Sequence, residues 1–244
     1  MTPTDRRALI PRADEPLPSG AAKTRSVQAM FDVIAPRYDL VNRLMTFRMD
    51  VGWRRRAVGA LGLPPGSRVL DLASGTGDLA RELQSRGMRP VGVDLSFGML
   101  AAAPRPFDRV QGDGTRLPFP DAAVDGVTCG FALRNFTDLD GTFSELARVT
   151  RPGGRIALLE VAEPPNPLLR FGHGIYFGHV VPRLGALLSD GDAYRYLPRS
   201  VAYLPPAEEM LASLRERGFT HVRRTLLSAG IAQLITATRG ADRR

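Results

Sequence analysis

The stretch Arg68-Val-Leu-Asp-Leu-Ala-Ser-Gly-Thr-Gly-Asp78 constrains this chain more than any other. Its first residues are apolar or β-compatible and read as a short buried strand, with Asp71 near its end. Gly75, Thr76 and Gly77 then make a tight turn, and a helical pattern runs from Asp78 through Leu79, Ala80 and Leu83. Strand, glycine turn and helix form a corner that binds ligands. Glycines let backbone approach a ligand where a Cβ would collide, and the helix start offers unpaired N–H groups.

The residues around the turn narrow the choice of ligand. Gly75-Thr-Gly-Asp-Leu-Ala80 satisfies the spacing of a dinucleotide fingerprint. However, Asp78 stands where a diphosphate would lie, and a carboxylate there repels phosphate. No Gly-Lys-Ser/Thr ending is present, which excludes a P-loop. Asp71 and Asp78 on either side of Gly-x-Gly suit a zwitterionic, cationic cofactor such as S-adenosylmethionine. A second strand, Pro90-Val-Gly-Val-Asp94, ends in a carboxylate 17 residues after Gly77, placed to accept both ribose hydroxyls.

Composition sets the outer bounds. A chain of 244 residues with 43% hydrophobic content supports one large α/β domain with additions. It has no apolar run of about 18 residues, so no transmembrane helix is expected. The polar N-terminus shows no secretory signal. The single cysteine, Cys129, excludes an internal disulfide and a Cys-rich metal site, and it lies in a predicted strand. A cytoplasmic protein is expected, peripheral to the inner face of the membrane. The net charge of +8 is carried mostly by arginine. It suits an anionic membrane surface or nucleic acid, and it also follows from a high-GC coding bias. No aromatic-interleaved RNA-binding motif accompanies it.

Residues 1–24 carry Pro3, Pro11, Pro16 and Pro18 among charges and are expected to be a flexible tail. A single domain is expected over 25–240, with 241–244 a short tail. A helical pattern begins at Val27, breaks at Pro36 and resumes to Leu61. Beyond Asp94, Ser96 caps a helix to Ala103, and strands are expected at 107–111, 124–129 and 155–160. Gly130-Phe-Ala-Leu-Arg-Asn135 forms a loop at a strand end, and a helix follows over 138–149. Alternating strands and helices imply parallel strands with right-handed crossovers. The apolar, glycine-spaced segment from about 164 to 204 reads as an inserted helical lid. It is followed by a helix to Arg217 and two closing strands.

Three blocks carry a family resemblance. The first is Met30-Phe-Asp-x-Ile-Ala-x-Arg-Tyr-Asp-Leu-x-Asn-x-Leu-Met45 with Trp53-Arg-Arg. The second is Leu117-Pro-Phe-Pro-Asp121 with Phe131-x-Leu-Arg-Asn135 and Arg151-Pro-Gly-Gly154. The third is Tyr194-x-Tyr-Leu-Pro-x-Ser200 with Gly218-Phe219. Over residues 24–238 the chain resembles the class I S-adenosylmethionine-dependent C-methyltransferases of menaquinone and ubiquinone biosynthesis. That resemblance implies a Rossmann-like sheet, mostly parallel with its last strand antiparallel, behind a helical preface and a lid. It implies cofactor contacts at Thr76 and Asp94, with Asp113 and Gly114 beside the adenine and Gly130 near the methionine part. Asp71, Gly75 and Gly77 complete the expected cofactor set. Two departures stand out. Asp50 replaces a histidine that many relatives carry, and Ser228-Ala-Gly-Ile-Ala-Gln233 differs from the usual Gly-Gly-Ile pattern.

The implied reaction is C-methylation of demethylmenaquinol. Alternatives are a ubiquinone-pathway benzoquinol, or another small phenolic or lipid-like metabolite. A non-enzymatic RNA-binding module and an NAD-dependent oxidoreductase stand further off. A ring carbon is nucleophilic only when its neighbouring hydroxyl is ionised or hydrogen-bonded, so the quinol should react and the quinone should not. Arg134 is expected to stabilise the oxyanion, Tyr38 to orient the quinol and Asn135 to assist at the strand-four edge. Met30, Phe31, Leu44, Met45, Leu168, Phe171, Tyr176 and Phe177 are expected to line an isoprenoid groove. His173 and His179 read as lid packing, with no metal site. Expected partners are an isoprenoid quinol, an anionic membrane surface and a second copy of the chain as a homodimer, with no nucleic acid.

Overall fold

A computed structural model describes residues 3–11, 15–104, 107–181, 183, 196 and 199–241. Its centre is a seven-stranded sheet in the order β3-β2-β1-β4-β5-β7-β6. The strands are β1 (Arg68–Leu72), β2 (Arg89–Asp94), β3 (Asp108–Gln111), β4 (Val124–Gly130), β5 (Thr150–Val161), β6 (Phe219–Leu227) and β7 (Ala232–Arg239). All pairings from β3 across to β5 are parallel, and β7 runs antiparallel to both of its neighbours. The architecture is the expected α/β class. β5 is longer than expected because Arg151-Pro-Gly-Gly154 joins the strand rather than ending before it.

Nine described helices surround the sheet: α1 (Pro3–Arg7), α2 (Gly20–Ile34), α3 (Tyr38–Met45), α4 (Met49–Leu61), α5 (Asp78–Ser85), α6 (Phe97–Ala101), α7 (Leu139–Val149), α8 (Pro167–Ile175) and α9 (Ala207–Glu216). A π-helical turn, Tyr176–Val180, continues α8. α2 starts at Gly20, earlier than the Val27 suggested by the apolar period. Its first turn, Gly-Ala-Ala-Lys, is polar or small and carries no such period. The lid expected over 164–204 is seen as α8 and its π-turn. Tyr194, Leu197 and Pro198 of the third sequence block lie outside the described residues.

Period-two alternation sorts the strands' side chains onto two faces. Leu70, Leu72, Val127, Ile156 and Leu158 pack with Phe143 and Leu146 of α7 and Leu211 and Leu214 of α9. Val69, Ala157, Leu159 and Leu234 pack on the other face with Val58 and Leu61 of α4 and Leu79 and Leu83 of α5. A third core lies away from the sheet, where Val27, Met30 and Ile34 of α2 meet Val41 and Met45 of α3, with Val181 and Tyr196. It anchors a helical roof above the carboxyl ends of the parallel strands.

Candidate active site: a cofactor pocket and an acceptor chamber

Parallel register brings three strand ends to one level. Leu72 pairs with Val93 and with Cys129, so the turns after β1, β2 and β4 open side by side. This edge is where α/β folds hold ligands. Backbone there is unusual: Ala73 (φ 52°) and Phe131 (φ 59°) sit in the left-handed region, both just past a strand end.

The first cavity lies over this edge. Gly75, Thr76, Asp94, Asp113, Gly114 and Gly130 all line it, as does Asn135. Asp94 binds the loop from below. Its Oδ2 accepts from Gly75 N at 2.8 Å and its Oδ1 from Ser96 N at 2.8 Å. Burial raises the Asp94 carboxyl to about 6, against these two N–H groups that favour its charge. Asp113 forms a turn, its Oδ1 accepting from Thr115 N and Oγ1 at 2.9 Å each. Thr76 Oγ1 donates to Asp39 Oδ1 of α3 at 2.5 Å, tying the helical preface to the glycine loop.

Two residues expected at the cofactor shape the pocket from behind. Asp71 shares the strand face of Val69, so it points under the loop, where it is fully buried. Its Oδ1 accepts from Thr128 Oγ1 at 2.9 Å, its Oδ2 has no partner, and burial lifts the carboxyl to about 7. Gly77, at φ 86°, turns the chain into α5; a Cβ there would fall 2.3 Å from the Phe107 ring. Asp78 does line the pocket, but Arg54 (3.2 Å), Arg43 (3.6 Å) and Arg81 already answer its charge. Burial alone would lower the Arg54 guanidinium. Asp78 and Asp50 outweigh it and hold that group above its ordinary value.

α2 roofs this pocket and is tied down at both sides. Asp32 Oδ1 accepts from Ser96 Oγ at 2.5 Å and Gly98 N at 2.9 Å, and Gln28 Nε2 donates to Leu95 O at 3.1 Å. On the opposite side Lys23 Nζ donates to Phe136 O at 2.8 Å, beneath the Tyr203 ring.

A second cavity of about 400 Å³ adjoins the first. Tyr38 and Phe131 line both and form their common wall. The second is mainly apolar, walled by Met45, Trp53, Leu168, Tyr176, Phe177 and Ile231 among others. Trp53 is fixed by an Nε1–H donated to Ser228 Oγ at 2.8 Å, so the departed Ser228 block braces the chamber. Of the expected groove residues, Met45, Leu168, Tyr176 and Phe177 are here. Met30 is instead 1% exposed in the third core, Phe31 lines the cofactor pocket, and Leu44 and Phe171 are on the surface.

The three expected catalytic residues are divided between the cavities. Arg134 lines the acceptor chamber from a short 3-10 turn, Leu133–Asn135. It is 7% exposed and pairs with fully buried Glu160 at 2.5 Å, and it also donates to Phe131 O and Ser200 Oγ. Its neighbour Asn135 turns to the cofactor side, with both amide atoms buried and unpartnered. Tyr38 stands between, its hydroxyl bonded to Asn42, and burial raises its pKa, which keeps the phenol protonated. Asp39, expected with Tyr38 to close over the site from the helical preface, reaches Thr76, and sequence reading missed Arg54 and Glu160. Glu160 had a signal: it ends β5 beside the β4 loop, where Gly130 registers with Leu159.

The first cavity fits S-adenosylmethionine. Its Asn135 amide lacks partners, Leu95, Met99 and Phe136 give apolar walls, and Asp94 and Asp113 offer carboxylates at the strand ends. Gly114 leaves room for Phe136 to close in, since a Cβ there would lie 2.6 Å from that ring. A roofed cofactor pocket on this sheet, joined to a separate apolar chamber, defines an S-adenosylmethionine-dependent methyltransferase of class I. Residues 19–239 match the model of the ubiE/COQ5 methyltransferase family, and the chain belongs to that family. It is 42% identical over 229 residues to a demethylmenaquinone methyltransferase of Roseiflexus castenholzii, covering 90% of this chain and 96% of the relative. It is 46% identical over 216 residues to one of Thermus thermophilus, covering 84% and 97%. Among solved structures, phosphoethanolamine N-methyltransferase 2 of Haemonchus contortus, with S-adenosyl-L-methionine, shares the fold. There the TM-score is 0.58 at 16% identity, over 77% of this chain and 52% of that one.

Proposed function

We propose that the protein methylates a ring carbon of demethylmenaquinol to give menaquinol. The observation that carries this is the 400 Å³ apolar chamber sharing its Tyr38–Phe131 wall with the cofactor pocket. The names of the relatives supply the substrate class. S-adenosylmethionine, when bound, supplies an electrophilic methyl group on a sulfonium. Thr76, Asp94 and Asn135 would hold it, and Asp113 and Gly114 would lie toward the adenine. Tyr38 orients the quinol at the shared wall, and the apolar chamber excludes water from the ring. Arg134, paired with Glu160, presents an oriented dipole to the developing oxyanion rather than an isolated positive charge.

The isoprenoid tail needs a way out. Phe47 and Leu168 line the chamber and are 72% and 78% exposed, with Leu40, Leu169 and Phe171 exposed nearby in the sequence. Exposed Arg48 and Arg170 lie beside them in the chain. This rim suits an anionic lipid surface, from which the tail would enter. No helix among the described residues is long and apolar enough to cross a membrane.

The test is methyl transfer from labelled S-adenosylmethionine to demethylmenaquinol, with the oxidised quinone and a demethylated benzoquinol alongside. The expected product is methylated menaquinol from the reduced naphthoquinol alone. Transfer to the benzoquinol only would move the substrate, and transfer to none with cofactor binding intact would reject quinol methylation. Flotation with anionic vesicles tests the rim; no binding at low salt would count against it.

A further inference from the structure

Among the described residues that line the acceptor chamber, one buried side-chain nitrogen or oxygen has no hydrogen-bond partner. The chamber's other polar side chains are engaged. Tyr176 Oη donates to Met45 O at 2.8 Å. Thr46 Oγ1 lies 2.8 Å from Asn42 O and 2.7 Å from Asp50 Oδ1. Asp50 is ion-paired to Arg54, Arg134 to Glu160, and Tyr38 is bonded to Asn42. The exception is His173 on α8, which lines the chamber with its Nε2 buried and unpartnered. The ring is held by Phe177, at 4.3 Å between centroids and 37° between planes. A buried polar atom without a partner costs stability, and its persistence in a ligand chamber marks a place for a ligand group.

We propose that His173 is a catalytic residue: its Nε2 accepts the hydrogen bond of the acceptor's ring hydroxyl and takes the proton as the methyl group is transferred. This rests on the quinol reading above. An aromatic carbon needs its neighbouring oxygen ionised to attack, and the carboxylates at the chamber wall and behind Arg134, Asp50 and Glu160, are each committed to an arginine. A general base works best with an affinity for protons near the operating pH. Burial draws the His173 imidazole below its ordinary value, which leaves its lone pair available at neutral pH. Glu163, in the connection before α8, opposes that shift. The other ionisable groups facing the chamber are Tyr38, Asp50, Arg134 and Tyr176.

The proton balance is simple. The hydroxyl proton passes to Nε2 while the O–H electron pair stays on oxygen. The adjacent ring carbon forms its bond to the methyl group as the carbon–sulfur bond breaks, and that pair remains on sulfur as a neutral thioether. The ring carbon then loses its own proton to water, and His173 returns its proton to the oxygen. One proton reaches solvent per turnover.

The experiment uses the full chain and demethylmenaquinol kept reduced, comparing wild type, His173→Phe and His173→Gln. Phe keeps the ring packing, and Gln keeps a hydrogen-bonding group without a base. Removing a general base lowers rate by about 10²–10⁴-fold. For His173→Phe, kcat should fall about 100-fold or more with the dissociation constant for S-adenosylmethionine unchanged, which also reports correct folding. His173→Gln should restore KM toward wild type but not kcat, and both variants should lose the acid limb of the wild-type pH profile. A kcat within twofold of wild type in His173→Phe, with the acid limb retained, would overturn the assignment. No transfer by the wild type would reject the quinol reading itself, and with it this role; only the wild-type arm reports that failure.

Discussion

The cofactor pocket and the acceptor chamber share a wall but are built from different material. The pocket is made mainly of backbone turns at the ends of β1, β2 and β4, braced by strand-end carboxylates that bind nearby N–H groups. The chamber is made of side chains from α3, α4, α8, the β4 loop and the segment before β7. One is specified over short distances in the chain, the other by long-range packing. Polar groups in the pocket brace its own turns and leave the Asn135 amide without a partner, whereas most polar groups in the chamber tie one helix or loop to another. That difference predicts how the two halves fail.

The largest effect is expected in the chamber. Arg134→Met leaves Glu160 buried without its partner, and breaking such a pair costs about 3–5 kcal/mol. For a chain of this size each kcal/mol moves the melting temperature by about 2–4 °C, so a fall of roughly 6–20 °C is expected by calorimetry. Arg134→Met with Glu160→Met should recover most of it. If the double variant also methylates at the wild-type rate, Arg134 serves only to brace the β4 loop. If it is stable and inactive, the guanidinium acts on the acceptor.

Asp94→Asn should act in the opposite manner. It removes the charge proposed to meet a ribose diol and replaces one of two acceptor oxygens with an NH2 that cannot accept from Gly75 N or Ser96 N, with little loss of packing. Hydrogen bonds to a charged group contribute about 1.5–3 kcal/mol. The affinity for S-adenosylmethionine, measured by titration calorimetry, should fall about 10–100-fold while the melting temperature moves little. An unchanged affinity would remove Asp94 from the ribose.

Legibility in the sequence follows the same division. Gly75, Thr76, Gly77 and Asp94 are read directly because a tight turn and a strand-end carboxylate leave local signals. Asp71 was placed one layer too high: strand alternation puts it with Val69, beneath the loop. The chamber was legible in its segments but not in its residues. Met30 and Met45 look alike in an amphipathic stretch and both pack in the third core, yet past the kink at Ala35–Arg37 Met45 alone of the two also reaches the chamber wall. Arg134 and Asn135 are neighbours that a 3-10 turn points into different cavities. Side-chain direction at such turns depends on tertiary packing, which no periodicity encodes.

A further predicted effect concerns Asp71, which lines neither cavity. Its carboxyl is raised to about 7 in the folded chain, against an ordinary 3.8. The folded state thus binds this proton more tightly than the unfolded chain. Its stabilising contribution is complete below about pH 4 and is lost as pH rises through about 7. Asp71→Asn should therefore narrow the difference in melting temperature between pH 5 and pH 8, with cofactor affinity unchanged. An unaltered difference would mean the carboxylate is ionised throughout.

The roof over the cofactor has a consequence for timing. α2 is fastened by Asp32 and Gln28 on one side and Lys23 on the other, across the top of the pocket. A ligand of cofactor size that passes this helix must first break one of those bonds. Asp32→Ala or Lys23→Ala is therefore expected to speed cofactor release, measured by stopped flow, and to leave acceptor affinity unchanged. An unchanged release rate would show that the cofactor leaves by another side of the pocket, with the fastenings serving only to hold the roof in place.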